Sequence, residues 1–144
     1  MTASSKTIRV GIVGTGFAGK FHVECLHRIY GATVTLAGVT SRRPESRQAF
    51  GKAHNIPVFD SIEAMLPAVD LIDVCSPPYA HEAGILAAAA AGKAIICEKP
   101  LTGYFGPTGA DEKYRGDKDS KQKMLDGSVE RMQKIAAAVR KHKV

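Results

Sequence analysis

The 144-residue sequence carries 20 Lys and Arg against 14 Asp and Glu, a formal net charge of +6, with 44% hydrophobic and 24% charged residues. This is the balance of one globular domain rather than of a disordered chain, and no apolar run approaches the length of a membrane span. The basic excess lies in the tail (Lys134, Arg140, Lys141, Lys143) or is interleaved with acids from Asp111 to Lys123, without the alternating aromatics of a stacking platform, so neither nucleic acid nor membrane is an expected partner.

Residues 1–6 lack the basic start and apolar stretch of a signal peptide, and a cytoplasmic chain is expected. Ile8 to Val13 is an apolar run leading into Gly14-Thr15-Gly16-Phe17-Ala18-Gly19 and then into a helical pattern from Phe17 to Tyr30. Strand, glycine turn and helix in this order read as a cradle for the pyrophosphate of a dinucleotide. Gly14 permits the tight turn, Gly16 lets the backbone approach the ligand, and Gly19 lets the helix pack on the strand. The anion sits on free N–H groups at the helix start, Phe17 and Ala18.

Further strands are predicted at Val34 to Thr40, Pro57 to Phe59, Leu71 to Cys75 and Ala94 to Cys97. Helices are predicted at Pro44 to His54, Ser61 to Leu66 with Ser61 as its cap, and Tyr79 to Ala91. The alternation predicts an α/β fold, a doubly wound parallel sheet with its ligand crevice at the carboxyl ends of the strands. Thr102 to Gly127 breaks the pattern and reads as an irregular, charged loop within a single domain spanning residues 1–144. Helical spacing returns from Ser128, as N-cap, to Lys143. The chain then stops where a sixth strand is expected, which leaves Ala94 to Cys97 as an apolar edge. Self-association, or cover by the 102–127 segment, is the expected answer to that edge. Cys25, Cys75 and Cys97 form no C-x-x-C pair and no metal-ligand spacing; they read as small hydrophobes, and no metal is expected.

The chemistry gathers at strand ends. The second strand runs into Ser41-Arg42-Arg43, with no carboxylate for a ribose 2′-hydroxyl but two guanidinium groups suited to a 2′-phosphate. NADP is therefore expected, with NAD as the alternative. The fourth predicted strand ends in Ser76-Pro77-Pro78-Tyr79-Ala80-His81 and the fifth in Cys97-Glu98-Lys99-Pro100-Leu101. Glu98 can accept ribose hydroxyls beside the nicotinamide, and Lys99 can orient and polarise a substrate hydroxyl as a catalytic residue.

Gly14-x-Gly16-x-x-Gly19, Ser76-Pro77-Pro78-x-x-His81, Ala91-Gly92-Lys93 and above all Glu98-Lys99-Pro100-Leu101 resemble the N-terminal half of the glucose-fructose oxidoreductase, inositol dehydrogenase and rhizopine-catabolism (Gfo/Idh/MocA) family. The resemblance implies a Rossmann NAD(P)-binding fold, Lys99 as the active-site lysine, Glu98 as the nicotinamide-ribose contact, and a turn of Ser76, Pro77, Pro78 and His81 bordering the nicotinamide. It also implies a sugar or polyol substrate, hydride transfer, and a second domain with further catalytic groups that this chain lacks. Alone, the chain is then expected to bind cofactor without turnover. The alternatives are a stand-alone dinucleotide-binding or sensing module, and a nucleotide-dependent glycosidase or lyase on the same fold.

Overall fold

The computed structural model describes residues 7–107, 110 and 113–144. Expectations for residues 1–6, and for Thr108, Gly109, Asp111 and Glu112 of the charged loop, lie outside the described residues. Four parallel strands, β1 (Thr7–Val13), β2 (Thr33–Thr40), β3 (Leu71–Val74) and β4 (Ala94–Cys97), lie in the order β2-β1-β3-β4. The helices are α1 (Phe17–Leu26), α2 (Pro44–His54), α3 (Ile62–Met65), α4 (His81–Ala90) and α5 (Lys121–His142). This is the doubly wound parallel fold expected from the sequence.

Strand alternation builds a core on each face. Val10 and Ile12 of β1 meet Val23, Val39, Phe50 and Ile56 on the α1 and α2 side. Val13, Ile72 and Val74 meet Met65, Val69, Ile85, Ala88 and Ile135 on the α3, α4 and α5 side. The same alternation turns Asp73 away from the second core and toward α1, where it is 1% exposed.

Four elements differ from expectation by more than one residue at a boundary. The predicted strand Pro57 to Phe59 is a single bridge between Val58 and Val39, held by Val39 N–H to Pro57 O and Phe59 N–H to Val39 O, both 2.9 Å. Three residues including a proline supply too few ladder donors to extend it. Helix α1 ends at Leu26, since Ile29 and Tyr30 are exposed and find no core to offset the entropy of further helix. The α4 segment begins as a 3₁₀ turn, Pro78–Ala80, because proline suits a first turn and not a helix interior.

The largest revision concerns the last helix. It starts at Lys121, with the Ser120 hydroxyl accepting from Lys123 N–H at 3.2 Å, while Ser128 lies inside the helix and donates to Met124 O at 2.8 Å. The first two turns carry mostly polar residues, so they show no apolar period. The cap at Ser120 and the long packed continuation hold them helical.

Among the described residues β4 bonds to β3 alone, and Ile96 stands exposed on the α1 side. The described residues after Thr102 do not join β4. The segment turns instead toward α5, where Tyr104 lies so close to Gly127 that an added Cβ there would sit 2.6 Å from the ring. α5 is fixed to α4 by Glu82, which accepts from Arg131 at 3.0 Å and from Lys134 at 2.6 Å. Among the described residues no helix is long and apolar enough to cross a membrane.

Candidate functional site

The sheet order reverses between β1 and β3, and a cavity of about 720 Å³ opens beyond their carboxyl ends. Its floor is the glycine turn. Gly14 has φ +112°, and a Cβ there would lie 2.7 Å from the Cys75 carbonyl and the Ser76 nitrogen. A Cβ on Gly19 would lie 2.3 Å from Gly14 O, so this glycine sits behind the cavity and sets how closely α1 approaches β1. Among the described residues Gly16 faces nothing within 4 Å, leaving open space over the backbone. Helix α1 has no side-chain cap and no acid in its first turn, so the N–H groups and positive dipole end near Phe17 and Ala18 face the cavity unneutralised.

Thr40, Ser41, Arg42 and Arg43 form one wall. Gly14 N–H donates to Thr40 O at 2.9 Å, tying the end of β2 to the glycine turn. The Ser41 hydroxyl lies 3.3 Å from Thr15 Oγ1, and Arg47 donates to Ser41 O at 3.1 Å and to Asp60 Oδ1 at 2.6 Å. Arg47 thus holds the basic loop from beneath, leaving exposed Arg42 and Arg43 at the rim. Ser46, Asp60, Ser61 and Glu63 complete this end and are not evident as site residues in the sequence.

Ser76 and Pro77 line the opposite wall, and the Ser76 hydroxyl is buried without a hydrogen-bond partner among the described residues. His81 does not reach the cavity surface. Its ring is fully buried, with Nδ1 3.0 Å from Pro100 O and Nε2 2.7 Å from Ser76 O, so it ties the turn after β3 to the turn after β4. The Lys99-Pro100 peptide is cis. Lys99 is exposed, and its ammonium forms no ion pair with a described residue.

Beside Lys99 is a charged cluster that sequence reasoning missed. His22 of α1 lies between two carboxylates: Nδ1 is 2.9 Å from Asp73 Oδ2, and Nε2 is 3.0 Å from Glu98 Oε1. The second Glu98 oxygen accepts Lys99 N–H at 3.2 Å, and the Cys75 thiol lies 3.4 Å from Asp73 Oδ1. These atoms are engaged with one another and form one hydrogen-bonded group. One signal was visible: Asp73 interrupts an apolar strand, where a lone carboxylate requires a partner.

Electrostatics follow the contacts. The hydrogen bond from His22 holds the Glu98 carboxyl below the usual carboxylate range against the effect of burial, with help from Lys99 N–H. Burial, with Asp73 nearby, pushes the Cys75 thiol well up and the Cys97 thiol up to about 11, so both are protonated and unreactive near neutrality. Cys75 is buried and Cys97 half-buried, as small hydrophobes are expected to be, whereas Cys25 is exposed.

Comparison with known proteins agrees with this geometry. Residues 8–114 match the profile described as "Oxidoreductase family, NAD-binding Rossmann fold". The chain is 42% identical over 96 residues to inositol 2-dehydrogenase of Cereibacter sphaeroides (strain ATCC 17029 / ATH 2.4.9), covering 66% of this chain and 29% of that one. It is 38% identical over 98 residues to inositol 2-dehydrogenase/D-chiro-inositol 3-dehydrogenase of Shouchella clausii, covering 66% and 28%. Among solved structures, apo scyllo-inositol dehydrogenase from Lactobacillus casei shares the fold with a TM-score of 0.71 at 24% identity, over 98% of this chain and 35% of that one. The chain therefore spans about 29% of the length of the curated relatives it matches. With the glycine cradle, the parallel sheet and the Glu98-Lys99-Pro100 turn all present, the chain belongs to the Gfo/Idh/MocA oxidoreductase family and forms its NAD(P)-binding Rossmann domain.

Proposed function

We propose that the chain is the dinucleotide-binding part of an oxidoreductase that moves a hydride between a nicotinamide and an alcohol carbon of an inositol-like or sugar-like polyol, with NADP preferred over NAD. The observation that carries the reading is the open cradle above Gly16, at an uncapped helix start and beside the orphaned Ser76 hydroxyl. A pyrophosphate suits that place: it accepts from the free N–H groups of α1 and from the buried hydroxyl. The NADP preference rests on the exposed guanidinium groups of Arg42 and Arg43 and the Ser41 hydroxyl at the end of β2, where no carboxylate follows directly. The polyol substrate rests on the names of the relatives at 42% and 38% identity.

A bound nicotinamide supplies the hydride donor or acceptor. Glu98 accepts hydrogen bonds from ribose hydroxyls, and its fixed carboxylate orients the sugar. Pro77 gives the adjoining wall a rigid surface, and His81 holds that wall to the turn carrying Lys99. The Lys99 ammonium donates to the substrate oxygen and stabilises negative charge there as the hydroxyl loses its proton. The 144 residues alone bind cofactor without turnover, since positioning of substrate contributes about 7–11 kcal/mol to such reactions and nothing described encloses a substrate above Lys99.

Titration of the chain with NADPH and NADH, read by nicotinamide fluorescence, tests the proposal. Tighter NADPH binding is expected; equal affinities would refute the NADP preference, and no binding of either would refute the reading as a whole. In a protein carrying the full length of the relatives, Lys99→Ala should lower turnover strongly and leave NADPH affinity within a few-fold.

A further inference from the structure

We propose that His22 is a positioning residue for this site: a ring donating from both nitrogens clamps Glu98 to buried Asp73, so dinucleotide affinity depends on the protonation of His22. The inference rests on the reading of Glu98 as the ribose-facing carboxylate. A neutral imidazole has one N–H, yet both ring nitrogens face carboxylate oxygens, at 2.9 Å on Asp73 and 3.0 Å on Glu98. A neutral ring would set its lone pair against one of them. The charged ring satisfies both, and it supplies the counter-charge for Asp73, 1% exposed, whose other described side-chain partner is the Cys75 thiol.

The groups facing the ring come from every neighbouring element: Asp73 on β3, Cys75 just after it with Sγ 3.3 Å from Nδ1, Glu98 after β4, and the Phe21 ring on α1. Lys99 is the adjoining cation, one residue beyond Glu98, whose second oxygen takes the Lys99 N–H. Partial burial pulls the His22 pKa down, but the hydrogen bonds and charges of Asp73 and then Glu98 outweigh it and raise it above its ordinary 6.5. Below that raised pKa the clamp is closed. As pH rises through it, the ring loses one N–H, Glu98 is released, and the ribose contact loosens.

The test combines ¹⁵N NMR of the histidine side chains with NADPH titrations from about pH 6 to pH 9, on the intact chain and on His22→Gln and Asp73→Asn. Below the raised pKa both His22 nitrogens should carry protons, and the ring should titrate above its ordinary 6.5. NADPH affinity should fall about tenfold as the ring titrates, the loss of one charged hydrogen bond. His22→Gln should abolish the step and bind at the weaker, high-pH level throughout. Asp73→Asn should shift the step to lower pH while retaining the low-pH affinity, and it reports independently if the glutamine variant folds poorly. A ring that titrates at or below 6.5, or a step that survives in His22→Gln, overturns the proposal. Absence of NADPH binding at every pH, with the ring charged, overturns instead the dinucleotide reading on which the coupling rests.

Discussion

Beside α1 the chain lines the crevice with backbone, whereas past the end of β4, outside the cavity lining, it presents a cluster of side chains. The cradle over Gly16 is defined by missing atoms: glycine at 14 and 19 because a Cβ would collide with main chain, and glycine at 16 because space is left for something else. The Glu98 end is defined by what is added, a histidine from α1 and carboxylates from β3 and from the turn after β4 within 3.0 Å of its ring. Backbone geometry of the first kind is local, and six consecutive residues encode most of it. The second kind needs three elements, at positions 22, 73 and 98, to be assembled by the sheet. A local motif tolerates no side chain, whereas an assembled one tolerates conservative changes and responds to pH.

Substitutions within the glycine turn should give the largest effect and separate the roles of its members. Gly19→Ala places a Cβ 2.3 Å from Gly14 O and should cost about 1–3 kcal/mol of stability along with most dinucleotide binding. Gly16→Ala meets nothing within 4 Å, so it should leave the unfolding midpoint nearly unchanged while weakening NADPH. Denaturant unfolding and fluorescence titration on the same samples would show this; equal destabilisation by both variants would erase the distinction between packing glycine and binding glycine.

Next in size is the basic rim. Replacing Arg42 or Arg43 by alanine should remove a charged hydrogen bond to a 2′-phosphate and weaken NADPH roughly ten- to a hundred-fold, with NADH barely affected. A parallel loss for both cofactors would mean that the arginines serve the shared pyrophosphate, and that backbone does not carry that end alone.

The α4–α5 contact extends the comparison to a third place assembled from side chains. Glu82 has 14% side-chain exposure between Arg131 and Lys134. Partial burial works to raise its pKa, and Lys134 and Arg131 overcome that and lower it. A carboxyl depressed in the folded state adds stability above its unfolded pKa, near 4.5, which is lost as pH falls through the lower folded value. Glu82→Gln should therefore cost roughly 1 kcal/mol at neutral pH and flatten the acid side of the stability profile. Thermal melts across pH would check it, and an unchanged acid limb would count against the pairing.

The smallest effect distinguishes two serines. Ser120→Ala removes the α5 cap and should cost about 0.5–1 kcal/mol, whereas Ser128→Ala removes only an internal bond to Met124 O and should be near neutral. The reverse order in chemical denaturation would restore Ser128 as the helix start.

The sequence by itself determined the parallel α/β fold, the glycine turn, the Ser61 cap and the family, because each is written in neighbouring residues: a period, a missing Cβ, a hydroxyl one place before a helix. It also presented Lys99 and Glu98 at a strand end, where charged groups have no packing role. Tertiary structure alone decided that Pro57 to Phe59 is a single bridge, that α5 begins at Lys121 behind the Ser120 cap, and that His81 is buried as a tie between two turns. It alone joined His22 to Asp73 and Glu98. Those outcomes depend on how many ladder partners a segment finds and which side chains the sheet register brings within 3 Å. Such distances arise between residues 51 and 76 positions apart, on elements whose spacing is set by packing rather than by the order of residues along the chain.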